Sequence, residues 1–115
     1  MTVAECYAQF EGDYEGTIER LATEELVRKY LLRFLDDPCY GVLVKKYSEH
    51  ADREAFQAVH TLKGLCLNLG LTKLNRSSSQ LTEALRNGRM PEADGLLEQV
   101  KADYALTCGA IRELE

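Results

Sequence analysis

Apolar residues recur along most of this chain at intervals of three and four, the spacing that places them on one side of an α-helix. This spacing runs through residues 26–35, 55–69, 74–85 and 96–114. It resumes over residues 42–47 after an interruption at Pro38, whose ring and missing N–H are expected to kink the first helix. The pattern therefore predicts four long helices, the first of them kinked.

Residues that favour helix starts and helix ends separate these segments. Gly70 and Gly88 follow two of the apolar patterns, where a left-handed glycine commonly ends a helix. Thr23, Asp52 and Thr72 precede three of the patterns and are predicted N-caps. Because short connections make consecutive helices antiparallel, the sequence predicts an all-α fold, an up-down four-helix bundle.

The chain is expected to form a single domain over residues 1–115, with the bundle core at about residues 23–114. A length of 115 residues is enough for one hydrophobic core but not for two. Two short N-terminal helices, at about residues 2–9 and 14–21, are expected to cap one end or side of the bundle.

Charge and hydropathy exclude several classes of function. The net charge is -5, and the basic footprint of a nucleic-acid-binding protein is missing. No apolar run approaches a membrane span, and the N-terminus lacks the features of a signal peptide. We therefore expect a cytoplasmic protein that binds neither nucleic acid nor membranes. Its four scattered cysteines lack a C-x-x-C pair and are expected to be reduced packing residues.

The helix predicted over residues 55–69 carries the candidate chemistry. At about 100° per residue, its apolar residues cluster on one side and must face the core. His60 points almost directly away from that side. The exposed side is shared by polar or small residues and flanked by two apolar ones: Arg53, Gln57, Lys63 and Gly64, with Phe56 and Leu67.

Two neighbours of His60 have a clear physical use. Lys63 lies one turn along, so its ammonium could stand beside a negative group attached to the imidazole ring. Gly64 leaves bare backbone next to that ring. Because glycine inside a helix costs about 0.5–1 kcal/mol relative to alanine, its presence on the exposed side suggests that something large approaches there.

The following helix is expected to complete the site. In an antiparallel hairpin that turns near Gly70, Thr82 lies level with His60, and Arg86 lies one turn away. Thr82 could orient a ring nitrogen of His60. Arg86 could form a local basic patch with Arg53 and Lys63.

A lone exposed histidine is more often an ordinary surface residue than a reactive one. With Gly and Lys each near 7% of residues, however, a His followed by Lys at +3, Gly at +4 and Gly at +10 arises by chance roughly three times in ten thousand. We therefore treat His60, Lys63, Gly64 and Gly70 as one motif.

This motif resembles the signature of the histidine-containing phosphotransfer (HPt) domain family of two-component phosphorelays. That signature is a His, then Lys-Gly at +3 and +4, then a Gly at +10, and here it spans residues 60–70. The helix order, the kinked helix before the motif and the Leu-rich helix after it extend the resemblance over about residues 23–114.

The resemblance implies a phosphocarrier. Because the chain has no glycine-rich phosphate loop and no room for an ATP-binding domain in 115 residues, we expect a stand-alone relay intermediate and not an ATP-dependent kinase. His60 would take a phosphoryl group from the aspartate of one receiver domain, carry it on Nε2 and pass it to the aspartate of another. Lys63 and Arg86 would balance its charge, and Phe56 and Leu67 would belong to the apolar docking surface. No cofactor of its own is implied, since the Mg²⁺ belongs to the receiver. The expected partners of this monomer are the receiver domains of response regulators and hybrid sensor kinases.

The chain also departs from the family pattern. Some members place a glutamine that orients the histidine where this chain has Thr82. Members commonly carry small residues where this chain has Leu65, Cys66 and Leu67. Leu65 and Cys66 face the core, whereas Leu67 is on the exposed side and is expected to affect which receivers dock.

Two other functions remain open. A helical adaptor could dock receivers without carrying phosphate, but an adaptor needs neither His60 nor Lys63. A metal or haem bundle would need several inward His, Glu or Cys ligands on facing helices, and His60 points outward.

Overall fold

A computed structural model describes residues 1–115 and contains seven α-helices and no strand. The helices are α1 (Val3–Gln9), α2 (Tyr14–Leu21), α3 (Glu24–Phe34), α4 (Cys39–Ser48), α5 (Asp52–Leu69), α6 (Thr72–Arg86) and α7 (Met90–Arg112). No helix is both long enough and apolar enough to cross a membrane.

The helices form the predicted up-down bundle. Packing is most extensive between α4 and α5, α5 and α6, and α6 and α7. The rings of Tyr40 on α4 and Tyr104 on α7 stack 3.6 Å apart, which closes the bundle. A single cluster of 27 buried apolar residues fills the interior. Since α5 packs against both α4 and α6, only one side of it is left for solvent.

The kink predicted at Pro38 is a complete break. Helix α3 ends at Phe34 and α4 begins at Cys39, with four residues between them. The Asp37 carboxylate accepts the Cys39 N–H at 2.9 Å and so satisfies a free donor at the start of α4. Residues of α3 lie beside the C-terminal part of α5, and residues of α4 lie beside its N-terminal part. The two short helices therefore take the place of the one kinked helix.

The predicted helix ends are partly correct. The Thr23 hydroxyl accepts the Leu26 N–H at 3.1 Å, which confirms that N-cap. Gly70 has a φ of 67° and ends α5 in the left-handed conformation, as predicted. Asp52 and Thr72, however, are not N-caps, because each is already the first residue of its helix.

The N-terminal helices cap the end of the bundle at which α5 stops. The Tyr7 hydroxyl donates to the Leu69 carbonyl at 2.7 Å, and the Asp13 N–H donates to the Gly70 carbonyl at 2.8 Å. The Arg20 guanidinium donates to two further carbonyls of the last turn, at 3.1 and 3.2 Å. These bonds satisfy acceptors that a helix C-terminus leaves free.

The four cysteines are free and buried, which confirms their role as packing residues. Burial raises the pKa of the Cys39 thiol to about 12, with the nearby Asp37 carboxylate as a second cause. Burial likewise raises the pKa of Cys6 to about 11. These thiols stay protonated near neutral pH, so they are poor nucleophiles.

The raised thiol pKa values predict that the fold weakens in alkali. Above the ordinary thiol pKa of 9.0 the unfolded chain releases protons that the folded chain retains, so the free energy of unfolding falls as pH rises. Each thiol contributes a slope of up to about 1.4 kcal/mol per pH unit, and below that pH its contribution is fully present. Urea unfolding at several pH values between about 7 and 10 measures this slope. Cys39→Ala should make the slope shallower, and an unchanged slope would contradict the prediction.

Candidate functional site

His60 lies in the middle of α5 with its side chain exposed, as the helical spacing predicted. The opposite side of α5 is buried in the core through Ala55, Ala58, Val59, Leu62, Cys66 and Leu69. Leu65, predicted to face the core, is only partly buried. The imidazole ring is therefore held on a helix that is rigidly packed behind it.

The two residues next to His60 leave a reactive surface. Lys63 is half-buried and forms no ion pair, so its ammonium is available to an approaching anion. Gly64 is exposed, and a Cβ atom at this position would meet no side chain and no other element within 4 Å beyond its own turn of helix. Gly64 therefore does not serve helix packing, and it leaves open space beside the ring.

The prediction for Thr82 is wrong. This residue is fully buried, and its hydroxyl donates to the Ser78 carbonyl of the preceding helical turn at 2.7 Å. It does not lie on the exposed side of α6, and no hydrogen bond joins it to His60. The Thr82 hydroxyl therefore does not orient the His60 ring.

The Phe56 ring and the His60 imidazole are nearly parallel, with an interplanar angle of 9° and centroids 6.0 Å apart. Phe56 is half-buried and packs against the core cluster, so it is less exposed than expected. The Arg86 guanidinium carbon lies over the Phe56 ring, 5.5 Å from its centre. The Arg86 side chain also bonds the Glu83 carboxylate at 2.6 Å. Arg86 is thus exposed, but its positive charge is already paired with Glu83 and its guanidinium already contacts Phe56.

The predicted basic patch is correspondingly smaller. Arg53 is exposed and forms no ion pair, like Lys63, whereas Glu83 neutralises Arg86. Glu83 was not among the predicted site residues. Its position three residues before Arg86, the spacing of an ion pair on one helical face, was the signal that pointed to it.

Two apolar side chains offer contact area near the site. Leu67 is 63% exposed and lies one turn beyond Gly64. On the other flank of α5, an open groove of about 380 Å³ runs between α4 and α5. Val42, whose spacing suggested a core position, lines this groove and is 42% exposed. Gln57 and Thr61 form the α5 side of the groove, where the Thr61 hydroxyl donates to the Gln57 carbonyl at 3.0 Å.

No three His, Cys, Asp or Glu side chains come together in a way that could hold a metal ion. Nothing in the structure therefore favours a metal or haem bundle. The chemically available groups are a ring nitrogen of His60, the ammonium of Lys63 and the uncovered backbone at Gly64. An imidazole nitrogen is a nucleophile that forms covalent intermediates.

The fold and the site together define a four-helix bundle that presents His60 on the exposed side of its central helix. The family model of the Hpt domain matches residues 7–110, so the chain belongs to the histidine-containing phosphotransfer (HPt) domain family. The protein accordingly has a phosphotransfer role in two-component phosphorelays, in which HPt domains interact with receiver domains. Neither a curated protein nor a solved structure matches the chain.

Proposed function

We propose that this protein relays a phosphoryl group between the aspartates of receiver domains through Nε2 of His60. The observation that carries the proposal is the exposed His60 with an unpaired Lys63 ammonium and the open surface at Gly64 one helical turn away. The protein acts as a stand-alone cytoplasmic monomer. It is a phosphocarrier and not an ATP-dependent kinase.

The transfer needs only groups that the two partners supply. The Nε2 lone pair of His60 attacks the phosphorus of the aspartyl phosphate, and an N–P bond forms as the P–O bond to the carboxylate breaks. The aspartate leaves as a carboxylate with the bonding electron pair. The second transfer reverses these steps on another receiver. Mg²⁺ bound to the receiver is expected to assist both steps, and this chain needs no cofactor of its own.

Lys63 and Gly64 have different roles in this proposal. The Lys63 ammonium stabilises the negative charge on the phosphoryl oxygens while the group moves between partners. Gly64 lets the receiver approach closely, because no side chain stands between the docked surface and the ring. Arg53 adds positive potential at the edge of the site.

The docking surface consists of Leu67, the Val42 side of the groove and the exposed polar residue Gln57. Leu67 and Val42 are among the most exposed large apolar side chains of the protein. These two side chains lie on the two flanks of α5, and we propose that they supply the apolar contact with the partner. The partners proposed for this surface are the receivers of response regulators and hybrid sensor kinases.

The alternative hypothesis is a non-catalytic adaptor that docks receivers without carrying phosphate. Mixing the protein with a receiver that carries a radioactive aspartyl phosphate separates the two hypotheses. A relay protein acquires label that survives alkali and is lost in acid, as phosphohistidine does. An adaptor binds the receiver and stays unlabelled. If no receiver from the same genome transfers label, the relay proposal fails.

Lys63→Ala is expected to slow transfer from a phosphorylated receiver by about tenfold, because one positive charge near the moving phosphoryl group is lost. Thermal stability should change little, since Lys63 has no ion pair to lose. Rapid-quench measurement of label transfer tests this. Lys101→Ala on α7, a side chain paired only with Glu98, is the matched control and should transfer at the wild-type rate. Equal rates for both variants would remove the proposed role of Lys63.

Leu67→Ala is expected to raise the receiver concentration that gives half-maximal transfer, by about fivefold. This corresponds to the loss of about 1 kcal/mol of apolar contact in the docked complex. Titration of the transfer rate with receiver measures the effect. Leu106 on α7 is also exposed, at 41%, and Leu106→Ala serves as the matched control. A similar shift in both variants would show that the effect is not specific to the α5 surface.

A further inference from the structure

His60 has no side-chain hydrogen bond that could fix the direction of its ring. The Thr82 hydroxyl, which was expected to supply one, donates to the Ser78 carbonyl within α6. The only ring that stacks on the imidazole is that of Phe56, four residues earlier on the same helix. Residues at this spacing lie one above the other on a helix surface, so this stack follows from the helix itself.

We infer that Phe56 is a positioning residue that orients the His60 ring by aromatic stacking, and that Arg86 and Glu83 hold Phe56 in place. This inference rests on the proposed function of His60. It gives Phe56 a role other than docking, and it gives Arg86 a role other than contact with the phosphoryl group.

The geometry favours stacking as the constraint. An interplanar angle of 9° at a centroid distance of 6.0 Å describes two parallel, offset rings, an arrangement that aromatic pairs prefer to a face-to-face sandwich. Phe56 can act as a fixed surface because it packs partly against the core cluster. The His60 ring can then turn away only if it gives up this contact.

Helix α6 restrains Phe56 from a second direction. The Arg86 guanidinium lies over the Phe56 ring at 5.5 Å, within the range of a cation–π interaction. Glu83 in turn holds Arg86 at 2.6 Å, one turn back on α6. Although α6 gives no hydrogen bond to the histidine, it still influences the ring through this chain of contacts.

Ring direction matters because the docked receiver presents its phosphorus at a fixed point. An unrestrained histidine populates several staggered χ1 positions, each with a broad χ2, and only one arrangement places Nε2 in line with the bond that breaks. Loss of the stack should therefore lower the fraction of docked complexes that are ready to react. The expected loss in rate is about threefold to tenfold.

Phe56→Leu tests this role, because leucine keeps an apolar side chain but removes the ring. With saturating phosphorylated receiver, the limiting transfer rate should fall about threefold to tenfold, while the half-saturating receiver concentration stays unchanged. This is the opposite of the split expected for Leu67→Ala. Phe56→Tyr keeps the ring and should restore the limiting rate. If Phe56→Leu changes only the half-saturating concentration, Phe56 is a docking residue and the inference is wrong.

A partner-free measurement checks the orientation itself. In the wild type, the carbon-bound ring protons of His60 should show NMR shifts caused by the ring current of Phe56, and Phe56→Leu should move them toward the values of a free histidine. Arg86→Met should produce part of this change, and the double variant should change less than the sum of the two single variants. Unchanged His60 resonances in Phe56→Leu would overturn the inference.

Phosphoramidate separates this inference from the proposed function, because a small donor in solution can reach the ring in any orientation. Wild type and Phe56→Leu should both be phosphorylated on His60 by phosphoramidate at similar rates, and urea unfolding shows separately that the variant is folded. If the wild type accepts label from phosphoramidate but from no receiver, the proposed function fails. If the wild type is labelled and Phe56→Leu has the same limiting rate with receiver, only the positioning role fails.

Discussion

His60→Gln is expected to abolish phosphoryl uptake from any receiver. Glutamine keeps a polar side chain on the exposed side of α5, but the lone pair of its amide nitrogen is delocalised into the carbonyl and cannot attack phosphorus. The free energy of unfolding should change by less than about 0.5 kcal/mol, because the histidine is exposed and lies outside the core. Gel or filter assay of acid-labile label, together with urea unfolding, measures both effects.

The chain supplies a matched control in its only other histidine. His50 is exposed near the end of α4 and has a φ of 59°, a left-handed conformation that asparagine tolerates well. His50→Asn should therefore fold and accept label as the wild type does. Label that persists in His60→Gln would identify a different nucleophile. A large loss of stability in His60→Gln would show that the His60 ring supports the fold.

Gly64→Gln is expected to slow transfer from a phosphorylated receiver by about a hundredfold while making the protein more stable. The new side chain would occupy the open surface beside His60, and a displacement of the docked receiver by about 1 Å is enough for a loss of this size. Beyond its own turn of helix, a Cβ atom at this position meets nothing within 4 Å, so the fold should accept the substitution without strain. Because glycine is a poor helix former, the free energy of unfolding should rise by about 0.5 kcal/mol.

Gly109→Gln is the matched control for that prediction. Gly109 is another exposed glycine inside a helix, and a Cβ atom there also meets nothing within 4 Å, but it lies on α7. It should give the same gain in stability and leave transfer unchanged. Labelling of Gly64→Gln by phosphoramidate at the wild-type rate would show that only access of the receiver has been lost. Transfer from the receiver at the wild-type rate would mean that the open surface has no function.

Helical periodicity was enough to predict the bundle, because burial of one face per helix determines both the number of helices and the side of α5 that stays exposed. Gly70 was predictable as the end of α5 for a local reason, the left-handed conformation that follows a helix. Pro38 showed where the first helix is interrupted. Whether a proline kinks or breaks a helix depends on the packing of the segments on either side, which local sequence does not determine.

The error at Thr82 has a geometric origin. Counting residues from the turn gives the level of a side chain along the hairpin, but it does not give the direction in which that side chain points. Thr82 lies only about 40° round the helix from Ser78, which is itself fully buried. The angular position of a residue around its helix therefore predicts its burial better than its level along the hairpin does. The contact of Arg86 with Phe56 depends on how two helices pack, so neither helix alone could have revealed it.

Hydrogen bonds hold the last turn of α5 in place, and their donors lie on α1, on α2 and on the loop between these two helices. They limit how far the chain can be shortened without loss of function. A fragment that starts at about residue 23 keeps His60, Lys63, Gly64 and all four bundle helices, but it loses the donors to the Leu69 and Gly70 carbonyls. The last turn of α5 should then fray and displace Leu67, while His60, two turns earlier, stays in place. Such a fragment should accept phosphoramidate label yet bind receivers weakly, so the smallest functional unit extends well beyond the helices that carry the motif.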